Sequence, residues 1–184
     1  TYRHIGSLFL NYKIFADLAF RTEFGIDIQN QNDEQFYGSR TILGQSTNGY
    51  AQSDWLRTFN YNTNNDFNYV KRFGGIHNID ATLGMSYQKY TTNFTNAFGE
   101  DFPVDALRTL ASAGRITGGT STLNESSFLS YFARANYKLN EKYLLTLSGR
   151  IDGSSRFGKD NKYGFFPAAS LGWILSEEEF LKSV

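Results

Sequence analysis

The sequence predicts an all-β fold: an antiparallel up-and-down meander of about seven strands in the wall of a transmembrane β-barrel. Three observations carry this expectation. Seven segments alternate apolar and polar residues, the period of a strand with one apolar and one polar face. Their connections alternate between tight turns and long polar loops, which is how a membrane barrel is threaded. No run of about 18 apolar residues occurs, so no helix can span a bilayer.

The first strand runs from His4 to Tyr12, with Leu8, Leu10 and Tyr12 on one side. After a tight connection, the second runs from Leu18 to Gln29. Phe20, Phe24, Ile26 and Ile28 fall on one face of it, and Arg21, Glu23 and Asp27 on the other. Asn30 to Gly49 reads as a polar loop. The third strand extends from Trp55 to Val70, with Phe59, Tyr61, Phe67 and Tyr69 opposite Asn60, Asn62 and Asn68. Gly74-Gly75 marks a tight turn, because glycine accepts positive φ. In the fourth strand, His77 to Lys89, Ile79, Ala81, Leu83, Met85 and Tyr87 oppose Asn78, Asp80, Thr82, Ser86 and Gln88.

The longest excursion is then Tyr90 to Glu125. Pro103 near the start, acids beside it and Gly114 at the end predict a short helix from Pro103 to Ala113. The Gly/Ser/Thr-rich tract Thr117 to Thr122 reads as mobile. The fifth strand, Ser127 to Leu139, sets Leu129, Tyr131, Ala133, Ala135 and Tyr137 against Ser130, Arg134, Asn136 and Lys138. A tight turn at 140–142 leads to the sixth strand, Tyr143 to Asp152. The seventh, Phe165 to Leu175, follows a charged loop at 153–163. Ser176 reads as the N-cap of a terminal helical turn with acids behind it.

Composition supports the membrane reading. Aromatic residues make up 17 % of the 184, in line with the aromatic girdles of a barrel wall. Lys+Arg and Asp+Glu are equal at 18 each, so there is no basic field for nucleic acid. The absence of cysteine removes disulfides, thiolate metal sites and Cys nucleophiles. His4 and His77 stand apart, without the clustered ligands a metal needs. Asp105/Glu125 and Asp152/Asp160 have no spacing that would fix them as catalytic pairs. Gly118-Gly119 and Gly153-Ser154-Ser155 do not join a strand to a helix, so they are not phosphate cradles. No catalytic, cofactor or metal residue is expected.

The candidate functional residues are the polar-face charges Arg21, Glu23, Asp27, Asp80, Arg134, Arg150, Asp152 and Arg156. An ion-pair ladder along the wall is the main expectation for Arg150, Asp152 and Arg156. The aromatic residues Tyr37, Tyr50, Phe94 and Phe98 fall in the polar loops. Two uses fit them equally: stacking on sugar rings, or packing the loops together.

The last third carries a recognisable string. It includes Ser130-Tyr131-Phe132-Ala133-Arg134-Ala135-Asn136-Tyr137 and Arg150-Ile151-Asp152-Gly153-Ser154-Ser155-Arg156-Phe157-Gly158. Phe166-Pro167-Ala168-Ala169-Ser170-Leu171-Gly172-Trp173 and Glu178-Glu179-Phe180-Leu181 complete it. It resembles the barrel of SusC/RagA-type TonB-dependent outer-membrane transporters of Bacteroidetes. Leu83-Gly84-Met85-Ser86-Tyr87-Gln88 and Phe102-Pro103-Val104-Asp105-Ala106-Leu107 fit the same family. The resemblance is dense from Ser126 onward and loose before Trp55.

The resemblance implies a barrel of roughly 22 strands around a plug, set in the Gram-negative outer membrane. It further implies a SusD-like lipoprotein lid, energy from the TonB complex, and import of oligosaccharides or peptides. Nothing in residues 1–184 resembles the plug or the TonB box, so the chain is expected to be a mid-barrel slice. The competing expectation is a soluble or surface-anchored β-sheet carbohydrate-binding module, in which the apolar strand faces pack on each other.

Overall fold

The computed structural model describes residues 1–158 and 162–181. Seven strands follow in order: β1 (Tyr2–Phe15), β2 (Leu18–Tyr37), β3 (Tyr50–Phe73), β4 (His77–Glu100), β5 (Arg115–Leu139), β6 (Tyr143–Ser154) and β7 (Tyr163–Trp173). They form one sheet in the order β1-β2-β3-β4-β5-β6-β7, so every strand pairs with its sequence neighbours. This is the expected meander. The sandwich alternative fails here, because it requires a second sheet and the described residues form one.

Contacts divide the chain into two compact units. One comprises Thr1–Gly6, Ile26–Asn60 and Tyr90–Glu125. The other comprises Ser7–Gly25, Tyr61–Lys89 and the chain from Ser126 onward.

The second unit holds the tight turns and the alternating segments. Asn140 and Glu141 both adopt positive φ, 52° and 59°, as do Gly74 and Gly75 at 56° and 71°. Two consecutive positive φ values form the mirror-image turn that matches the right-handed twist of a hairpin. The tight turns sit side by side. Val70 N–H donates to Asp17 C=O (2.9 Å), Asn140 N–H to Ile76 C=O (2.8 Å), and Lys71 Nζ pairs with Asp17 at 3.0 Å.

Pairing of β5 with β6 and of β6 with β7 sorts the side chains by parity. Ala135–Leu147–Ala169, Tyr137–Leu145–Leu171 and Leu139–Tyr143–Trp173 line up on one face. Ser130–Asp152, Arg134–Ser148–Ala168 and Asn136–Thr146–Ser170 line up on the other. The apolar face is open: Leu83 is 62 %, Leu147 49 % and Leu171 86 % exposed. Aromatic contacts border it, with Tyr143 on Trp173 (ring centroids 6.3 Å) and Tyr61 on Tyr87 (5.9 Å).

In the first unit the expected loops are mostly strand. β2 continues to Tyr37, β3 begins at Tyr50, β4 reaches Glu100 and β5 begins at Arg115. The hydropathy pattern could not show this. Both faces of β2 are polar there, Asn30, Asn32 and Glu34 on one side and Gln29, Gln31 and Asp33 on the other. Geometric alternation continues while its hydropathy signal disappears.

The tract Thr117–Thr122, expected to be mobile, is therefore regular strand in β5. The helix expected over Pro103–Ala113 is absent, and only a 3₁₀ turn, Leu110–Ser112, forms. Thr109, at the start of that turn, gives it no side-chain cap. The terminal turn is likewise 3₁₀, Leu175–Glu177, entered from Ile174 and not capped by Ser176.

The true loops, 38–49 and 101–114, are knitted together. Asp105 Oδ1 accepts the Ser39 N–H at 2.8 Å. Asn48 and Asp101 bond through side chains at 2.9 Å, and Phe102 N–H donates to Asn48 C=O at 2.9 Å. Phe102 is 2 % exposed and meets Phe36 edge-on at 5.0 Å, while Arg108 covers Phe36 from 5.9 Å. Gly49, at φ 93°, lies so close that an added Cβ would stand 3.1 Å from the Phe102 ring.

Candidate functional site

The first unit carries an aromatic row. Tyr37 stacks on Tyr50 with ring centroids 6.1 Å apart and planes 28° off parallel. Tyr50 in turn stacks on Phe98 at 6.3 Å and 24°. Opposed and diagonal side chains on one face of neighbouring strands stay within reach of aromatic rings, so one ring per strand on β2, β3 and β4 forms a continuous row. The fourth strand of the row offers Gly118, where an added Cβ would stand 3.6 Å from Phe98 Cδ2.

These rings were expected in loops. They stand instead at strand ends, at fixed positions in the pairing. Phe94 lies on β4 four residues before Phe98, at the same parity. Sequence reasoning missed Gly118 as a partner. Its two-residue spacing from Thr120 and Thr122 is the signal that could have placed it in a strand.

Polar groups surround the row. Tyr50 OH donates to Gln52 Oε1 (3.2 Å), and Gln52 Nε2 donates to Asp54 Oδ2 (2.7 Å). Asp54 Oδ1 is shielded from solvent and accepts no hydrogen bond. Gln31 donates to Asp33 at 2.6 Å, and Arg115 pairs with Glu100 at 2.7 Å. Thr120 N–H donates to Asn96 Oδ1 at 3.0 Å, one step along β4 and β5 from the Phe98–Gly118 position. Asp27 belongs to this unit and takes a two-pronged bond from Arg3, at 3.0 and 2.8 Å.

Asp105 pins the two loops beside this row. The Ser39 N–H, with Arg40 and Arg108 nearby, holds its carboxyl below the usual aspartate range.

The second unit holds the remaining candidates. Arg21 pairs with Glu23 at 3.1 Å, two residues along one face of β2. Asp80 is exposed on β4, beside Thr82, whose hydroxyl donates to Asn68 at 2.9 Å. Arg134 Nε donates to Asn136 Oδ1 at 3.2 Å. Arg150 donates to Asp152 at 2.6 Å and to Ser130 Oγ at 3.0 Å, and Ser130 is fully buried.

The expected three-charge ladder thus resolves into Arg150, Asp152 and Ser130. Arg156 lies in the turn after β6, where its N–H donates to Ser154 Oγ at 3.3 Å. Asp160 lies outside the described residues. His77 stacks between Phe73 (5.0 Å) and Tyr137 (6.0 Å) and shares a 2.6 Å bond with the Tyr137 hydroxyl, so its ring is structural.

Comparison with known proteins agrees with this geometry. Residues 2–178 match the family described as TonB dependent receptor-like, beta-barrel. The chain is 36 % identical over 188 residues to the TonB-dependent receptor SusC of Bacteroides thetaiotaomicron, covering 98 % of this chain and 18 % of that protein. It is 34 % identical over 184 residues to TonB-dependent receptor P3 of Formosa agariphila, covering 99 % of this chain and 18 % of that protein. The solved RagAB peptide transporter superposes with a TM-score of 0.87 at 22 % identity, over 98 % of this chain and 21 % of that one. The chain thus spans about a fifth of the length of the proteins it matches.

Proposed function

Because this chain belongs to the TonB-dependent receptor-like β-barrel family, whose members are outer-membrane proteins of Gram-negative bacteria, we propose that it is a stretch of the wall of a transporter importing oligosaccharides or peptides. The observation that carries this reading is the open apolar face of the second unit, backed by a polar face one residue out of register. Large side chains such as Leu83, Leu147 and Leu171 stand exposed in rows. Water would penalise such a surface, and lipid would not. The apolar face then meets lipid and the polar face lines the lumen, where Arg21, Glu23, Asp80, Arg134 and Arg150 shape what passes.

Residues 1–184 form one partial barrel domain on this reading, and its work is binding and gating, without covalent chemistry. The 38–49 and 101–114 loops stand outside the cell. Their exposed Ile42, Leu43, Val104 and Leu107 offer an apolar surface to a SusD-like lipoprotein lid. TonB would supply energy through parts of the full-length protein.

Spin labels at positions 147 and 148 of the full-length protein in lipid vesicles test the assignment. Position 147 should be quenched by oxygen dissolved in lipid, and position 148 by a water-soluble nickel chelate. Equal or reversed accessibility rejects the wall reading.

A further inference from the structure

On the reading that this face of the strands lines the transport path, we infer that the position where Phe98 faces Gly118 is a stacking subsite for one uncharged sugar ring. Tyr37 and Tyr50 are committed to each other, and Tyr50 to one face of Phe98. On the β5 side, Phe98 meets a residue with no side chain. Within 4 Å of an ideal Cβ on Gly118 lies only Phe98 Cδ2, at 3.6 Å, and Gly118 is exposed. The row therefore ends in a notch with one apolar aromatic wall.

The notch has a polar rim. Thr120, at the same parity of β5, is tied to Asn96, and Glu100 follows Phe98 on β4. A ring with a C–H face and hydroxyls at its edge matches this pattern. Its face covers the aromatic, and its hydroxyls donate to the amide and carboxylate oxygens around it. An aromatic side chain would cover Phe98 equally well but add no hydrogen bond to the acceptor positions that Asn96 and Glu100 keep free beside their bonds to Thr120 and Arg115.

Charge narrows the class further. Asp54, on the strand beside Phe98, is held by Gln52, not by a cation, and its Oδ1 accepts no hydrogen bond. An anionic sugar entering here would add a like charge on the side of Asp54.

Gly118 makes the inference directly testable. A Cβ there enters ordinary van der Waals contact, so Gly118→Val extends a side chain over Phe98 while suiting a strand. The full-length protein is titrated by calorimetry with neutral gluco-, manno- and xylo-oligosaccharides, with oligouronates, and with phenylalanine-containing tripeptides. At least one neutral oligosaccharide should bind. Gly118→Val and Phe98→Leu should each weaken it tenfold or more, and Phe98→Tyr should retain it. Heat-modifiable gel migration checks that each variant is folded.

Unchanged affinity in folded Gly118→Val protein overturns the inference. So does preferential binding of oligouronate or tripeptide, or binding of no neutral member by the parent. Failure here leaves the spin-label result intact, so the subsite and the wall reading fail separately.

Discussion

Substituting arginine for Leu147 tests the apolar face at its centre. Leu147 lies on β6 four residues after Tyr143 and four before Ile151, flanked by Ala135 on β5 and Ala169 on β7. The small neighbours leave its side chain 49 % exposed, so an arginine there has no protein cover. On the lipid face of a barrel, an arginine near the midplane costs about 2–4 kcal/mol and one near the interface about 0–1 kcal/mol. Leu147→Arg should therefore shift the folding equilibrium of the full-length barrel by roughly 30- to 700-fold, at about 1.4 kcal/mol per tenfold. Leu171→Arg, two residues from Trp173 at the aromatic border, should fall in the lower range. Ser170→Arg, on the opposite face beside Thr146, should cost still less. Urea titration of the protein folded into lipid vesicles reads all three. If Leu147→Arg is as stable as the parent, or Ser170→Arg is the most damaging, the faces are assigned wrongly.

Other outcomes follow from the loops and the turn rim. Phe102→Ala removes a ring that is 2 % exposed, so the 101–114 loop should open at a cost of about 3–5 kcal/mol, seen as faster proteolysis there. Gly44→Ala would place a Cβ 2.4 Å from the carbonyl oxygens of Tyr37 and Gly38, so it should disorder the 38–49 loop while the strands persist by circular dichroism. The Asp105 carboxyl is held below its usual value of 3.8. Its contribution is complete above that value and is lost as pH falls through the lower native one, so pepsin should cut the loop faster only in that acid window. Asp105→Ala should remove the pH dependence. Glu178 accepts from Lys142 Nζ (3.0 Å), Tyr143 OH (2.9 Å) and Trp173 Nε1 (3.1 Å). Its pKa is lowered by Lys142 first, so Trp173 fluorescence should change on acidification through the carboxylate range and in Glu178→Gln at neutral pH.

The aromatic candidates show where local pattern and tertiary structure part. Tyr37, Tyr50 and Phe98 were visible as aromatics in polar surroundings, but their alignment depends on pairing between strands far apart in sequence. Arg150 and Asp152 were legible as neighbours at period two. Their third member, Ser130, comes from β5 through the register and has no local signal.

By itself, the sequence determined the strand count, the hairpin turns and the two faces of the second unit. Side-chain parity is local, and contact with an apolar medium on one side writes it into hydropathy. Only the tertiary structure decided how far the strands continue, because β2 to β5 pass into segments where both faces are polar and the pattern falls silent. It also replaced the expected helix at Pro103–Ala113 with a pinned loop. Phe102 is buried against Phe36 and Asp105 is bonded to Ser39. These long-range contacts outweigh a helical propensity that a segment this short cannot sustain alone.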